Sequence, residues 1–415
     1  MLLKIAKVLA FLFLILLLFA AYHYKKIQRL LHVNSLFDEK NIVDNFMNME
    51  KSFPFHHIEK SKVPYAMPSN LGYTLPSSFS YQEQNFQVQD YLNYSNTTGL
   101  MLLHRDTIIY ESYHLGMQKN TTHISWSVAK SFVSTLVGIA LEEGLFESIQ
   151  DPITKYLPQF KDTGYDGVKI KDILQMSSGV GFNEDYRDFN SDINRFGRHF
   201  ALGKSFESFA LSLKNEKPPG TYNHYVSLDT QVLGMLLRKV TGKTLAAYLK
   251  EKIWDPMGME YDAQWVIDQD DVEMALGGLN VSLRDYAKLG LLYLREGQWE
   301  GQQIVPKTWV KQAVTPTEPH LMPGATTLSN SHFGYGFQWW IPQNWQGDYF
   351  AAGIYNQYIY VNPSKDLVIV KTSANHHFKE IGDESKDIHV ALLQAIAQGF
   401  PDKKVEAMPA EKVEE

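Results

Sequence analysis

The 415-residue chain contains no cysteine. Disulfides and a lipid carried on cysteine are therefore both excluded, so the chain is not a lipoprotein. Neither sign of charge dominates: 39 basic residues stand against 46 acidic ones, a net charge of -7, and no basic stripe is interleaved with aromatics. Nucleic acid is therefore not an expected partner. The sequence also lacks a Gly-x-Ser-x-Gly elbow, a His-Glu-x-x-His pair and a glycine-rich phosphate loop with its Lys-Ser/Thr. Two adjacent pairs, His56-His57 and His376-His377, look like metal ligands, but no further ligand stands at a suitable spacing nearby. Neither a metal nor another cofactor is expected, and no internal repeat is visible.

What is present is core-forming: 44% of the residues are hydrophobic and 20% charged. The run Val8 to Tyr22 is apolar without interruption, with Lys4 and Lys7 before it and Lys25, Lys26 and Arg29 after it. Its length lies near the lower limit for spanning a bilayer, which makes residues 1–29 a membrane anchor or a signal sequence. Cleavage after Ala21 would put Phe19 where a small residue is wanted, which favours an uncleaved anchor; cleavage would make the protein secreted. Basic residues on both flanks leave orientation ambiguous by charge count. The order of charge followed by apolar core places the folded part on the extracytoplasmic side. Residues 30–90, with Pro54, Pro64, Pro68 and Pro76, read as a lead-in packed along the unit that follows. Residues 401–415 are charged and core-poor, and disorder is expected there.

The remaining pattern is mixed α/β, more narrowly α+β. A hairpin is expected at 99–110, a mostly helical lobe at about 146–315, strands at 357–362 and 366–372, and a closing helix around 384–399. Beginning and end then pair into one antiparallel sheet flanked by helices, with a cleft between sheet and helical lobe.

Residues 125–132, Ser-Trp-Ser-Val-Ala-Lys-Ser-Phe, open a stretch of helical periodicity that sets Ser127 and Lys130 on one face. A serine hydroxyl attacks a carbonyl only if a neighbour removes its proton, and a lysine can do so if burial lowers its pKa. The spacing alone fits equally a capping serine followed by a solvated lysine. The run Val128, Ala129, Phe132, Val133, Leu136, Val137, Ile139, Ala140 is apolar nearly all round, so the helix should be buried. A lysine entering such a helix needs a reason.

About a hundred residues on, Pro218-Pro219-Gly220-Thr221 leads to Tyr225-Val226-Ser227, in the place of a Tyr-x-Asn triplet. This order resembles that of serine β-lactamases, penicillin-binding proteins and their esterase and amidase relatives. Ala351-Ala352-Gly353 takes the place of the family's Lys-Thr-Gly or His-x-Gly strand, without the cation that holds a substrate carboxylate. Asp151-Pro152-Ile153, Ile173 to Val180, Gly277-Gly278-Leu279-Asn280 with Arg284-Asp285-Tyr286-Ala287, and Tyr335 to Trp340 are similar to the 6-aminohexanoate-dimer hydrolase and carboxylesterase-like branch. The resemblance implies one two-lobed catalytic unit over residues 91–400.

It also implies roles. Ser127 would be the acylated nucleophile, Lys130 its proton acceptor and Tyr225 the relay to the leaving group, with backbone N–H groups of Ser127 and Ile354 as oxyanion hole. Glu184 and Tyr186 lie in a loop that closes over substrate in amide-hydrolysing relatives, against the plain alternative of a solvated loop. Asn280 either enters the cleft or caps the helix begun by Ser282 and Asp285. Trp339 and Trp340 alternate on a strand, so one should face the site and the other the core. Ser227 and Gly353 complete the expected substrate contacts.

The expected activity is hydrolysis of a small-molecule amide or ester through an acyl-enzyme on Ser127. The alternatives are a β-lactamase or D-alanyl-D-alanine carboxypeptidase, which the alanine at 351 disfavours, and a catalytically silent binding or sensor protein. Pocket shape, set by loops, leaves the substrate open.

Overall fold

Apolar runs at both ends of the chain meet in one sheet. The computed structural model describes residues 2–403. Helix α1 (Leu2–Tyr22) is followed by α2 (Tyr24–Ser35), the short α3 (Ile42–Met47) and strand β1 (Phe55–Ile58). Strands β2 (Thr97–His104), β3 (Thr107–Tyr113) and β4 (Thr122–Ile124) precede helix α4 (Ala129–Glu142). The middle of the chain supplies α5 (Asp192–Ala201), α6 (Ser227–Thr241), β5 (Ala263–Val266), β6 (Leu279–Ser282) and α7 (Leu283–Leu294). It ends with β7 (Gly334–Tyr335), β8 (Trp340–Ile341), β9 (Tyr349–Gly353), β10 (Gln357–Asn362), β11 (Leu367–Ser373) and α8 (Glu384–Gln398).

The large sheet has the order β7-β8-β9-β10-β11-β2-β3 and is antiparallel throughout. The β2–β3 hairpin turns on Arg105 and Asp106, whose φ angles of 49° and 62° match the twist-compatible two-residue turn. The last strand pairs with the first, Val368 opposite Leu103 and Val370 opposite Met101, as the apolar pattern at the two ends required. Alternation then divides the sheet's side chains between two cores. Met101, Leu103, Ile359, Val361, Val368 and Val370 face α4 and α7. Leu100, Leu102, Tyr358, Tyr360 and Ile369 face α8 through Leu392, Leu393 and Ile396. Gly290 lets α7 lie directly on the sheet, since a Cβ there would stand 2.5 Å from Val368.

The helical middle differs from its sequence reading. Strands β5 and β6 join β1 and β4 in a second, four-stranded sheet of order β1-β5-β6-β4. These strands are four residues or fewer, and the central pair β5 and β6 is almost wholly buried, so no clean alternation marks them. Ser282 caps α7, its Oγ accepting from the Asp285 N–H at 3.1 Å. Within residues 30–90, Leu36, Ile42, Phe46, Met49 and Phe53 are buried in the main core, and β1 pairs with β5. Of the C-terminal segment only 401–403 is described; Lys403 N–H donates to Ser364 O and Asp402 pairs with Lys365. The rest of the tail read as disordered lies outside the described residues. Helix α1 carries a 19-residue apolar span, Lys4–Tyr22, none of it buried against the protein.

Candidate active site

Ser127 sits in a single tight turn, Trp126–Val128, immediately before α4. Trp126 adopts φ 43°, a left-handed conformation unusual for a bulky residue, and is held there by aromatic packing. Its indole meets Phe46 edge-on at 5.4 Å between centroids and Phe37 at 5.7 Å, both from the lead-in. From the other side β9 closes on the same turn. Gly353 is required there, because a Cβ would stand 2.4 Å from the Ser125 carbonyl oxygen.

Three residues on, Lys130 is 1% exposed. Its Nζ donates to Ser127 Oγ at 2.9 Å and to the Leu276 carbonyl at 2.5 Å. Burial pulls its pKa down to about 7, opposed by the Glu184 and Asp229 carboxyl groups. A large fraction of Lys130 is therefore neutral near pH 7, able to accept a proton from the hydroxyl it touches. Among the described residues, neither the Ser127 nor the Ile354 backbone N–H donates to a backbone carbonyl in a turn, loop or cap, and both residues border the same cleft.

Tyr225 lies on the segment entering α6, its ring centroid 5.3 Å from Lys130 Nζ. Burial, with the Glu184 carboxylate adding, holds its phenol above the ordinary range, while the Ser127 side chain opposes the shift. The phenol is protonated at neutral pH, so it can give a proton but does not compete with Lys130 as base. Trp340 stacks on its ring at 5.2 Å.

Ser127, Ile354, Tyr225 and Trp340 line a cleft of about 660 Å³. Glu184 and Tyr186 both border it, and the loop is not simply solvated. Glu184 accepts from Ser227 Oγ at 2.6 Å, from the Ser227 N–H at 3.1 Å and from Tyr186 Oη at 2.7 Å, which places a carboxylate on the N-terminus of α6. Ser227 thus stands behind Glu184. Gly353 borders the cleft, and of the two tryptophans Trp340 does so while Trp339 packs in the core against Tyr293 and Tyr349. Asn280 falls outside the site: it is 2% exposed on β6 and donates to the Gly278 and Gln264 carbonyls. That corrects its reading as a cleft residue, because the strand that carries it turns the amide into the small sheet. Ala351 also faces the core, and it is Ala352 that borders the cleft.

Several cleft residues carried no motif, and Lys386 is the one that bears on the chemistry. Lys386, from α8, places its ammonium 3.8 Å from the Trp340 ring centroid and enters no ion pair among the described residues. On a closing helix read only as sheet cover, a single lysine gives no signal of the cleft it reaches.

A serine bonded to a buried lysine that lies beneath a protonated tyrosine is an arrangement for acyl transfer. The beta-lactamase family model matches residues 96–393. The chain belongs to the beta-lactamase family. It is a serine hydrolase of that family, with the mixed α/β fold expected from its sequence. A 6-aminohexanoate-dimer hydrolase from Paenarthrobacter ureafaciens is 29% identical over 287 residues, 67% of this chain and 72% of that one. A solved structure from Bacillus anthracis, described as a candidate 6-aminohexanoate-dimer hydrolase, superposes with a TM-score of 0.79 over 88% of this chain and 95% of its own, at 23% identity. A family VIII carboxylesterase has a TM-score of 0.55 at 15% identity, covering 72% of this chain and 91% of its own. At those identities the two structures establish the shared fold.

Proposed function

We propose that the protein cleaves a small amide or ester through an acyl-enzyme on Ser127. Ser127 Oγ attacks the carbonyl carbon while Lys130 Nζ takes its proton. The N–H groups of Ser127 and Ile354 hold the oxyanion, a donor pair of a kind in which each member contributes on the order of 3 kcal/mol. As the intermediate collapses, the carbon–heteroatom bond breaks and the leaving amine or alcohol takes a proton relayed through Tyr225. Water, deprotonated by the same base, then releases the acid and frees Ser127. The observation that carries this reading is the 2.9 Å contact between Ser127 Oγ and a buried lysine whose pKa lies at about 7.

Amides related to 6-aminohexanoate oligomers through a leaving amine that resembles 6-aminohexanoate, and small carboxylic esters, are the nearest substrate analogies, in keeping with the named relatives. A second reading, a β-lactamase or D-alanyl-D-alanine carboxypeptidase, draws support from Lys386, a cation inside the cleft that could receive a carboxylate although position 351 offers none. A silent binding protein would have no use for a buried lysine beside a serine. Residues 91–400 would act as the catalytic unit, with Glu184, Tyr186, Trp340 and Gly353 contacting substrate. Helix α1 would anchor the unit on the extracytoplasmic face of a membrane.

Intact-mass analysis after exposure to a fluorophosphonate tests the core of this proposal. Labelling at Ser127 that disappears in Ser127→Ala and Lys130→Ala is the expected result. Folded protein that takes no label would overturn it. Rapid turnover of nitrocefin, beside slow turnover of p-nitrophenyl esters and aminohexanoate amides, would move the assignment to the second reading.

A further inference from the structure

Behind Ser127 lies a second, smaller cavity of about 120 Å³ that shares Ser127, Tyr186, Ile354 and Lys379 with the main cleft. Its walls are otherwise largely apolar. Leu36, Phe37, Met49 and Phe53 come from the lead-in, which precedes the family match at residue 96, while Phe196 and Phe200 come from α5. Ser127 therefore stands between a larger, more polar cleft bordered by Glu184, His224 and Lys386 and an apolar pocket.

We infer that this pocket receives the acyl side of the substrate as an uncharged alkyl chain of medium length, and that the polar cleft receives the leaving group. The inference rests on Ser127 being the nucleophile. A carbonyl seated against the N–H groups of Ser127 and Ile354 has two substituents, and the two cavities that meet there differ in kind. The apolar one is unsuited to an ammonium. Lys379 belongs to its lining, with Nζ 5.3 Å from the Phe37 ring centroid, and Trp126 Nε1–H, a donor only, has no partner among the described residues. An ω-amino group on the acyl chain would meet like charge and a donor, whereas methylenes would meet apolar walls. The pocket has a built-in probe at Gly197 on α5, which lines it and whose added Cβ would meet nothing within 4 Å.

The test is a series of p-nitrophenyl esters from acetate to octanoate together with the 6-aminohexanoate ester, on the full chain and on Gly197→Leu, beside fluorophosphonate labelling of Ser127. Each methylene fully buried is worth about a fourfold gain, so kcat/KM should rise between tenfold and roughly two hundredfold from acetate to hexanoate. The 6-aminohexanoate ester should fall at least tenfold below hexanoate, and Gly197→Leu should lower the hexanoate-to-acetate ratio at least fivefold. A chain-length profile that is flat in the unaltered protein, or a preference for the 6-amino ester, overturns the inference while Ser127 labelling leaves the nucleophile assignment standing. Loss of labelling overturns both. The unaltered profile decides the matter even if Gly197→Leu fails to fold.

Discussion

Lys130 gives the sharpest prediction, because one buried group sets both rate and stability. With a pKa of about 7 its neutral fraction is roughly a half at pH 7, a tenth at pH 6 and a hundredth at pH 5. kcat/KM on p-nitrophenyl acetate, corrected for spontaneous hydrolysis, should rise tenfold per pH unit below about 7 and level off above it. Lys130→Met should lose 10²- to 10⁴-fold in rate, the usual contribution of a placed general base. Stability should move the other way. The unfolded lysine, with its ordinary value of 10.5, binds its proton more tightly than the folded one, so folding is penalised below pH 7 and the penalty shrinks as pH rises toward 10.5. The gap corresponds to about 5 kcal/mol at pH 7 or below, an upper figure because Lys130 also donates two hydrogen bonds. Lys130→Met should thus be more stable than the unaltered protein by a few kcal/mol at pH 6, with the difference narrowing by pH 9. Urea unfolding at both pH values, beside the rate profile, measures this. A flat rate profile between pH 5.5 and 8.5, or a Lys130→Met protein that is less stable at pH 6, would refute the reasoning.

Other perturbations act through neighbours of the same turn. Phe46, fully buried against Trp126, should cost about 3–5 kcal/mol on replacement by alanine, and residual activity should fall further than stability alone explains, as a comparison of Phe46→Ala with Phe46→Leu by thermal melt and kcat would reveal. Glu184→Gln removes a carboxylate that raises the Lys130 pKa, so the acid limb of the rate profile should shift to lower pH; an unchanged or raised midpoint contradicts the geometry. Gly353→Ala forces its Cβ against Ser125 O, and a loss of about 1–3 kcal/mol in stability with a larger loss in kcat than in KM is expected. Lys386→Gln should raise KM for substrates whose leaving group carries a carboxylate while leaving KM for neutral p-nitrophenyl esters nearly unchanged.

How much of this was legible in the chain depends on distance along it. Ser127 and Lys130 are three residues apart on one helical face, so local periodicity was enough to bring them together and to expect burial. The pairing of β2 with β11 followed from two apolar runs at opposite ends of the chain. Asn280 was misread because its amide direction depends on a sheet whose short strands show no alternation. Lys386 was missed because what matters is where α8 lies across the sheet, a tertiary fact without a local mark. Phe37 and Phe46 were read only as part of a lead-in, since nothing in a pair of phenylalanines announces that they prop a strained residue some 80 positions later.

The Ser127 turn is gripped from both ends of the sequence, by Phe37 and Phe46 on one side and by Gly353 and Ile354 on the other. A nascent chain that has reached only the middle of the protein already carries Ser127 and Lys130 and can form the β2–β3 hairpin, yet lacks Ile354, the second oxyanion donor of the proposed mechanism, and lacks β11 on the other edge of β2. On the proposed mechanism the Ser127–Lys130 pair is therefore inert during synthesis and becomes competent only when the final strands arrive. A fragment stopped before residue 349 would carry the nucleophile without its chemistry, so proteolysis from the C-terminal side should extinguish activity before it destroys the helical lobe.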